Sequence, residues 1–114
     1  MTTTAIIDVD AFFEKIIEEY NQFGELATQL ASDLHILKPE TIERRCRQLN
    51  TERQRLTALD EKLIEIIDLA RDELTFSGHI TRYRVAFSSA TLAVEEIQTQ
   101  LLNIRQSIQE VTHH

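Results

Sequence analysis

Between Ile80 and Val111 the apolar residues Ile80, Tyr83, Phe87, Ala90, Val94, Ile97, Leu101, Ile104, Ile108 and Val111 follow one another in alternating steps of three and four. An average spacing of 3.5 residues holds one narrow stripe of a helix toward a partner for roughly 50 Å, at about 1.5 Å per residue. A helix cannot bury its own stripe, so this segment requires other helices to pack against it. Two glycines and one proline in 114 residues leave little material for the tight turns of a β fold.

The same periodicity recurs upstream. Val9, Phe13, Ile16, Tyr20, Phe23, Ala27, Leu30 and Leu34 form a second stripe, widened by Phe12, Ile17, Leu26 and Ala31 to about half the circumference, which predicts contact with two neighbours. Asp8 or Asp10 is suited to cap this helix, because a side-chain oxygen satisfies exposed N–H groups and the charge suits the positive helix end. Gly24 falls inside the helix, where it costs about 1 kcal/mol relative to alanine; tolerance explains it, with close approach of another helix as the alternative.

Pro39 marks a boundary. It disfavours helical geometry at Lys38, yet it fits a first helical position, where its missing N–H has no partner to lose. Ile42, Leu49, Leu56, Leu63, Ala70 and Leu74 then form the central row of a second helix. Its first half is thin in apolar side chains, with only Cys46 and Leu49 between Glu43 and Arg55, so that half is expected to be the least stable or most open part of the bundle. Phe76-Ser77-Gly78 supplies the next turn, with Gly78 able to adopt a left-handed conformation. The expectation is one all-α domain over residues 1–114: an antiparallel three-helix bundle, up-down-up, with coiled-coil-like heptad seams and helices at about 8–35, 39–75 and 79–112.

The formal charge is −7, distributed as −6 over residues 1–35, +3 over 36–55, −4 over 56–75 and 0 over 76–114. An acidic first helix beside a basic start of the second predicts internal charge matching. The basic stretch Arg44, Arg45, Arg47, Arg53 and Arg55 is interleaved with Glu43 and Glu52 and lacks stacking aromatics, so no nucleic-acid partner is expected. No apolar run approaches the roughly 18 residues of a membrane span, and Met1–Ala5 lacks the pattern of a secretion signal, so the expected location is cytoplasmic.

Candidate chemistry is sparse. Neither His35 nor His79 follows a glutamate by three residues, as a di-metal helical centre requires. Glu61, Glu65, Asp68 and Asp72 recur at helical spacing, as carboxylates do in all-helical nucleotide hydrolases, where Glu14, Glu18 and Glu25 would have to complete the set. A solvated outer face is the simpler reading, because Lys62 and Arg71 lie among them. Cys46 stands alone, without disulfide or zinc partners, and the terminal His113 and His114 are either native or the start of a purification tag. The expectation is a non-enzymatic chain without cofactor or metal.

The apolar-striped first helix, the break Ser32-Asp33-Leu34-His35-Ile36-Leu37, the charged stretch Leu49-Asn50-Thr51-Glu52-Arg53-Gln54-Arg55-Leu56 and the final amphipathic helix together resemble the small flagellar export chaperones, which include the hook-filament junction protein and filament-cap chaperones. The chain departs from the junction-protein group in lacking an added segment between the last two helices and an Asn-containing pattern early in the last, where Phe87-Ser88-Ser89-Ala90 stands. The resemblance implies a chaperone that recognises the terminal segment of an export substrate, an amphipathic partner, on Leu101, Leu102, Ile104, Ile108 and Val111. Two alternatives stay open: a structural protein whose seams make a homodimer or larger coiled-coil assembly, and a secreted helical hairpin resembling the Trp-x-Gly effectors, with Phe76 in place of tryptophan.

Overall fold

In the first helix the residues that the stripe turns inward are those with nowhere else to go. Phe13, Ile16, Ile17, Tyr20, Phe23, Ala27, Leu30 and Ala31 are all buried, and fully burying one large apolar side chain contributes about 1.5–3 kcal/mol. The computed structural model describes residues 9–69 and 77–112 and is all-helical over them: α1 spans Val9–Asp33, α2 Pro39–Leu69 and α3 Ser77–Thr112. The body is elongated, 72 × 23 × 19 Å. No helix of the described residues is long and apolar enough to cross a membrane.

Asp10 lies in the first turn of α1, where its charge suits the helix dipole; Asp8, the other candidate cap, is outside the described residues. The helix closes at Asp33, whose carbonyl accepts from the N–H groups of Ile36 (3.0 Å) and Leu37 (3.1 Å). Leu34 is buried and pins this turn to the core. At the start of α2 the Lys38 carbonyl accepts from Thr41 and Ile42, each at 3.0 Å, so Lys38 is the flanking residue and Pro39 the first helical one. The second helix is followed to Leu69; the expected row residues Ala70 and Leu74 lie outside the described residues.

The start of α3 differs from the sequence expectation. Ser77 and Gly78 belong to its first turn, and no described glycine has a positive φ, so Gly78 does not act as a left-handed helix terminator. A first turn makes few intrahelical bonds, and a glycine there disturbs little.

α1 packs against both other helices, whereas among the described residues no Cα atom of α2 comes within 8 Å of a Cα atom of α3. The α1–α3 contact is made by small residues. Ala86 and Ala90 are buried, and a Cβ placed on Gly24 would stand 3.6 Å from the Cα of Ala90. Gly24 therefore sits at a close approach of two helices. The row facing α1 is Ala86, Ala90, Ala93 and Ile97, with Phe87 displaced to its edge and 43% exposed. Small residues win the helix contact because a phenyl ring would hold the two backbones apart. Opposite this tight side, α2 contributes Leu49, Leu56, Leu63 and Ile66 to the buried set, and only Leu49 of these comes from its first half.

Candidate functional site

One carboxylate ties the three helices together. Asp60 of α2 accepts from the Tyr20 hydroxyl of α1 at 2.5 Å through Oδ2 and from the Tyr83 hydroxyl of α3 at 2.6 Å through Oδ1. The rings form an aromatic cluster with Phe87: Tyr20 meets Tyr83 edge-on with centroids 5.6 Å apart and lies 5.4 Å from Phe87. Burial first, and then donation to Asp60, push both phenols well above the usual tyrosine range. Both hydroxyls stay protonated donors and both carboxylate oxygens are engaged, so the cluster is a structural tie and offers no nucleophile or free base. Tyr20 and Tyr83 are the only tyrosines in the chain, and both fall on apolar stripes. A buried phenol needs a polar partner, and that was the signal available in the sequence.

The charge matching is carried by named pairs. Arg45 meets Asp33 at 3.4 Å, Arg55 pairs with Glu19 and with Glu52 (2.6 Å), and Arg82 grips Glu14, its Nη2 lying 3.1 Å from Oε2. Hydrogen bonds from Arg82 and Arg55 hold the Glu14 and Glu19 carboxyls below their ordinary range; for Asp33 the Gln29 amide is the larger cause and Arg45 the next. Arg47 pairs with Glu43 at 3.4 Å within its own helix. Much of the basic stretch is thus satisfied internally.

The carboxylate row does not converge. Glu61, Glu65 and Asp68 are exposed along α2, while Glu14 is held by Arg82 and Glu18 accepts from Gln22 at 3.3 Å. Among the described residues no group of three or more His, Cys, Asp or Glu side chains is placed to hold a metal ion, and Asp72 lies outside them. Burial pushes the Cys46 thiol up, which keeps it protonated and a poor nucleophile.

The far part of α3 is left uncovered by the other described residues. Every residue from Leu102 to Thr112 is exposed, including Leu102 (57%), Ile104 (37%), Ile108 (58%) and Val111 (77%). Upstream on the same helix, Ala90 and Ile97 are buried. Leu101 stands at the transition, half-buried and packed on the core. His113 and His114 are outside the described residues.

A second uncovered feature adjoins it. Where α2 and α3 stand apart, two clefts of about 410 and 170 Å³ open between them over Phe23 of α1. The larger runs beside Leu56 and Asp60; the smaller runs beside Cys46 and Leu49, on the half of α2 that is thin in apolar residues, and ends at Leu101. Arg53, Val94 and Gln98 border both. Sequence periodicity located the residues of the uncovered stripe, whereas the clefts depend on the spacing of two helices that do not touch, which no local pattern encodes.

No protein-family model, no curated protein and no solved structure matches this chain.

Proposed function

We propose that this chain is a cytosolic helical protein-binding module that captures an amphipathic segment of another protein on the far half of α3. The observation that carries the reading is the continuity of one apolar stripe from buried Ile97 through Leu101 to Ile104, Ile108 and Val111, past the point where the chain itself stops covering it. Three large apolar side chains in one exposed turn-to-turn row, Ile104, Ile108 and Val111, are what a helix-in-groove or coiled-coil contact requires. The finer architecture belongs to the same proposal: an up-down-up bundle of antiparallel neighbours with heptad seams. Its support is the order of the polar contacts between helices, since Glu19 and Asp33 meet Arg55 and Arg45, descending along α2, while Asp10 and Glu14 meet His79 and Arg82, ascending along α3.

The resemblance to flagellar export chaperones names the first partner to try, the terminal segment of a hook-filament junction or filament-cap protein from the same organism. Titration of that segment is expected to show binding that Ile104→Asp with Ile108→Asp abolishes while circular dichroism and melting stay as in the parent. A cooperative loss of fold in the double variant would instead make the stripe part of the core.

A further inference from the structure

The clefts between α2 and α3 and the uncovered stripe of α3 are one track. Phe87 borders the larger cleft, Val94 both, Ile97 and Leu101 the smaller, and Ile104, Ile108 and Val111 continue the row on the same helix. From Phe87 to Val111 that is roughly 36 Å at about 1.5 Å per residue, the length of a helix of about 24 residues.

The two lips of the larger cleft carry opposite charges that do not meet. Arg53 stands on the α2 lip and Glu95 on the α3 lip, and neither has an ion pair among the described residues. Some charges are matched across helices, as at Glu19 with Arg55 and Glu14 with Arg82, and Arg53 and Glu95 are not among them. Between the lips the apolar Phe23, Leu56 and Val94 share the surface with the polar Thr57, Asp60, Thr91 and Gln98. The Asp60 carboxylate in the cleft is already occupied by the two phenols, so the free charges are Arg53 on one lip and Glu95 on the other. With Phe23, Leu56 and Val94 between them they are complementary to a helix whose own flanks are oppositely charged, in the way that rim positions of coiled coils choose partner and direction.

The geometry points to a partner helix of about 24 residues lying along α3 between the cleft and the tail, its acidic flank toward Arg53 and its basic flank toward Glu95. This rests on the protein-binding reading above and adds to it the charge pattern and the direction of the guest.

Three synthetic amphipathic peptides of about 24 residues with one Leu/Ile stripe test it: one with Glu along one flank and Lys along the other, one with Lys on both, one with Glu on both. Binding to the full chain is read by anisotropy of a labelled peptide. The wild-type chain is expected to prefer the mixed peptide by about fivefold, Arg53→Glu to prefer the double-Lys peptide, and Glu95→Lys the double-Glu peptide. Both substitutions are at exposed positions and are expected to leave the fold intact, which circular dichroism checks. An unchanged rank order in both variants, or no binding of any peptide to the wild-type chain, overturns the inference. A wild-type dimer that Arg53→Glu dissociates places a second copy in the cleft and overturns it as well. Ile104→Asp with Ile108→Asp separates the two readings: uniform loss of all three peptides supports the joined track, whereas retained binding that still switches with the lip charges keeps the cleft and removes the tail.

Discussion

The hydroxyl of Tyr83 donates to Asp60 at 2.6 Å and thereby joins α3 to α2, two helices whose described residues bring no Cα atoms within 8 Å of each other. With Tyr20 on the other carboxylate oxygen, at 2.5 Å, the spacing of α2 and α3 is held by long polar side chains. An apolar seam would have closed the gap; this tie keeps the helices apart and leaves the clefts beside it open.

Removing the tie is expected to destabilise in a fixed order. Tyr83→Phe forfeits one hydrogen bond to a charged group, about 1.5–3 kcal/mol, whereas Asp60→Ala strands two phenols and costs more. Chemical denaturation of the two variants and of the double variant checks this, and the double is expected to fall well short of additivity because both changes cut one network.

Alkaline titration gives a second readout of the same site. The folded phenols are held above the ordinary value of 10.0, so their contribution to stability is fully present below about pH 10 and is lost as pH rises further. Because the chain has two tyrosines and no tryptophan, all phenolate absorbance at 295 nm comes from this cluster. It is expected to stay absent through pH 10 and then to appear together with loss of helical signal. A simple titration centred near 10 in a folded chain would contradict the geometry.

Gly24→Ala is expected to stabilise the chain by about 0.5–1 kcal/mol, because a methyl group 3.6 Å from Ala90 Cα makes ordinary van der Waals contact and alanine is the better helix former. Ala90→Leu at the facing position overpacks the contact and is expected to cost about 1–3 kcal/mol. Thermal melts of the two variants should move in opposite directions.

The helical class was legible in the sequence because an apolar spacing of three and four is a property of a single segment. Pro39 was legible for the same reason, since its effects act on Lys38 and on its own missing N–H. The placing of Ala86 toward α1 and Phe87 at the edge was not, because the choice was made by Gly24 and Ala90 on different helices. Likewise nothing local marked Asp60, whose partners Tyr20 and Tyr83 lie 40 and 23 residues away.

Acid should weaken the bundle through the charged pairs on α1. The folded-state carboxyls of Glu14, Glu19 and Asp33 lie below their ordinary values of 4.5, 4.5 and 3.8, so the stability they confer is present above about pH 4.5 and is lost as pH falls through the lowered values. Melting temperature measured between pH 7 and pH 2 is expected to be flat to about pH 5 and then to decline. Arg55→Gln should lower the plateau slightly and shrink the decline, because Glu19 then titrates closer to its unfolded value; a decline of unchanged size would mean that the Arg55–Glu19 pair contributes nothing.

The strongest contrast lies along α3 itself. Ile97 is 5% exposed and Ile108 is 58% exposed, although both occupy the same stripe. Truncating Ile97 to alanine removes core contacts and is expected to cost about 2–5 kcal/mol, whereas Ile108→Ala should change stability by no more than about 0.5 kcal/mol. Deleting Asn103–His114 removes no buried side chain of the described residues, so the shortened chain should melt close to the parent while losing helix signal in proportion to the deleted turns. Had the tail been ordinary core, the deletion would unfold the molecule. A chain that folds without these residues and binds only with them would show that the exposed end of the stripe exists for contact with another protein.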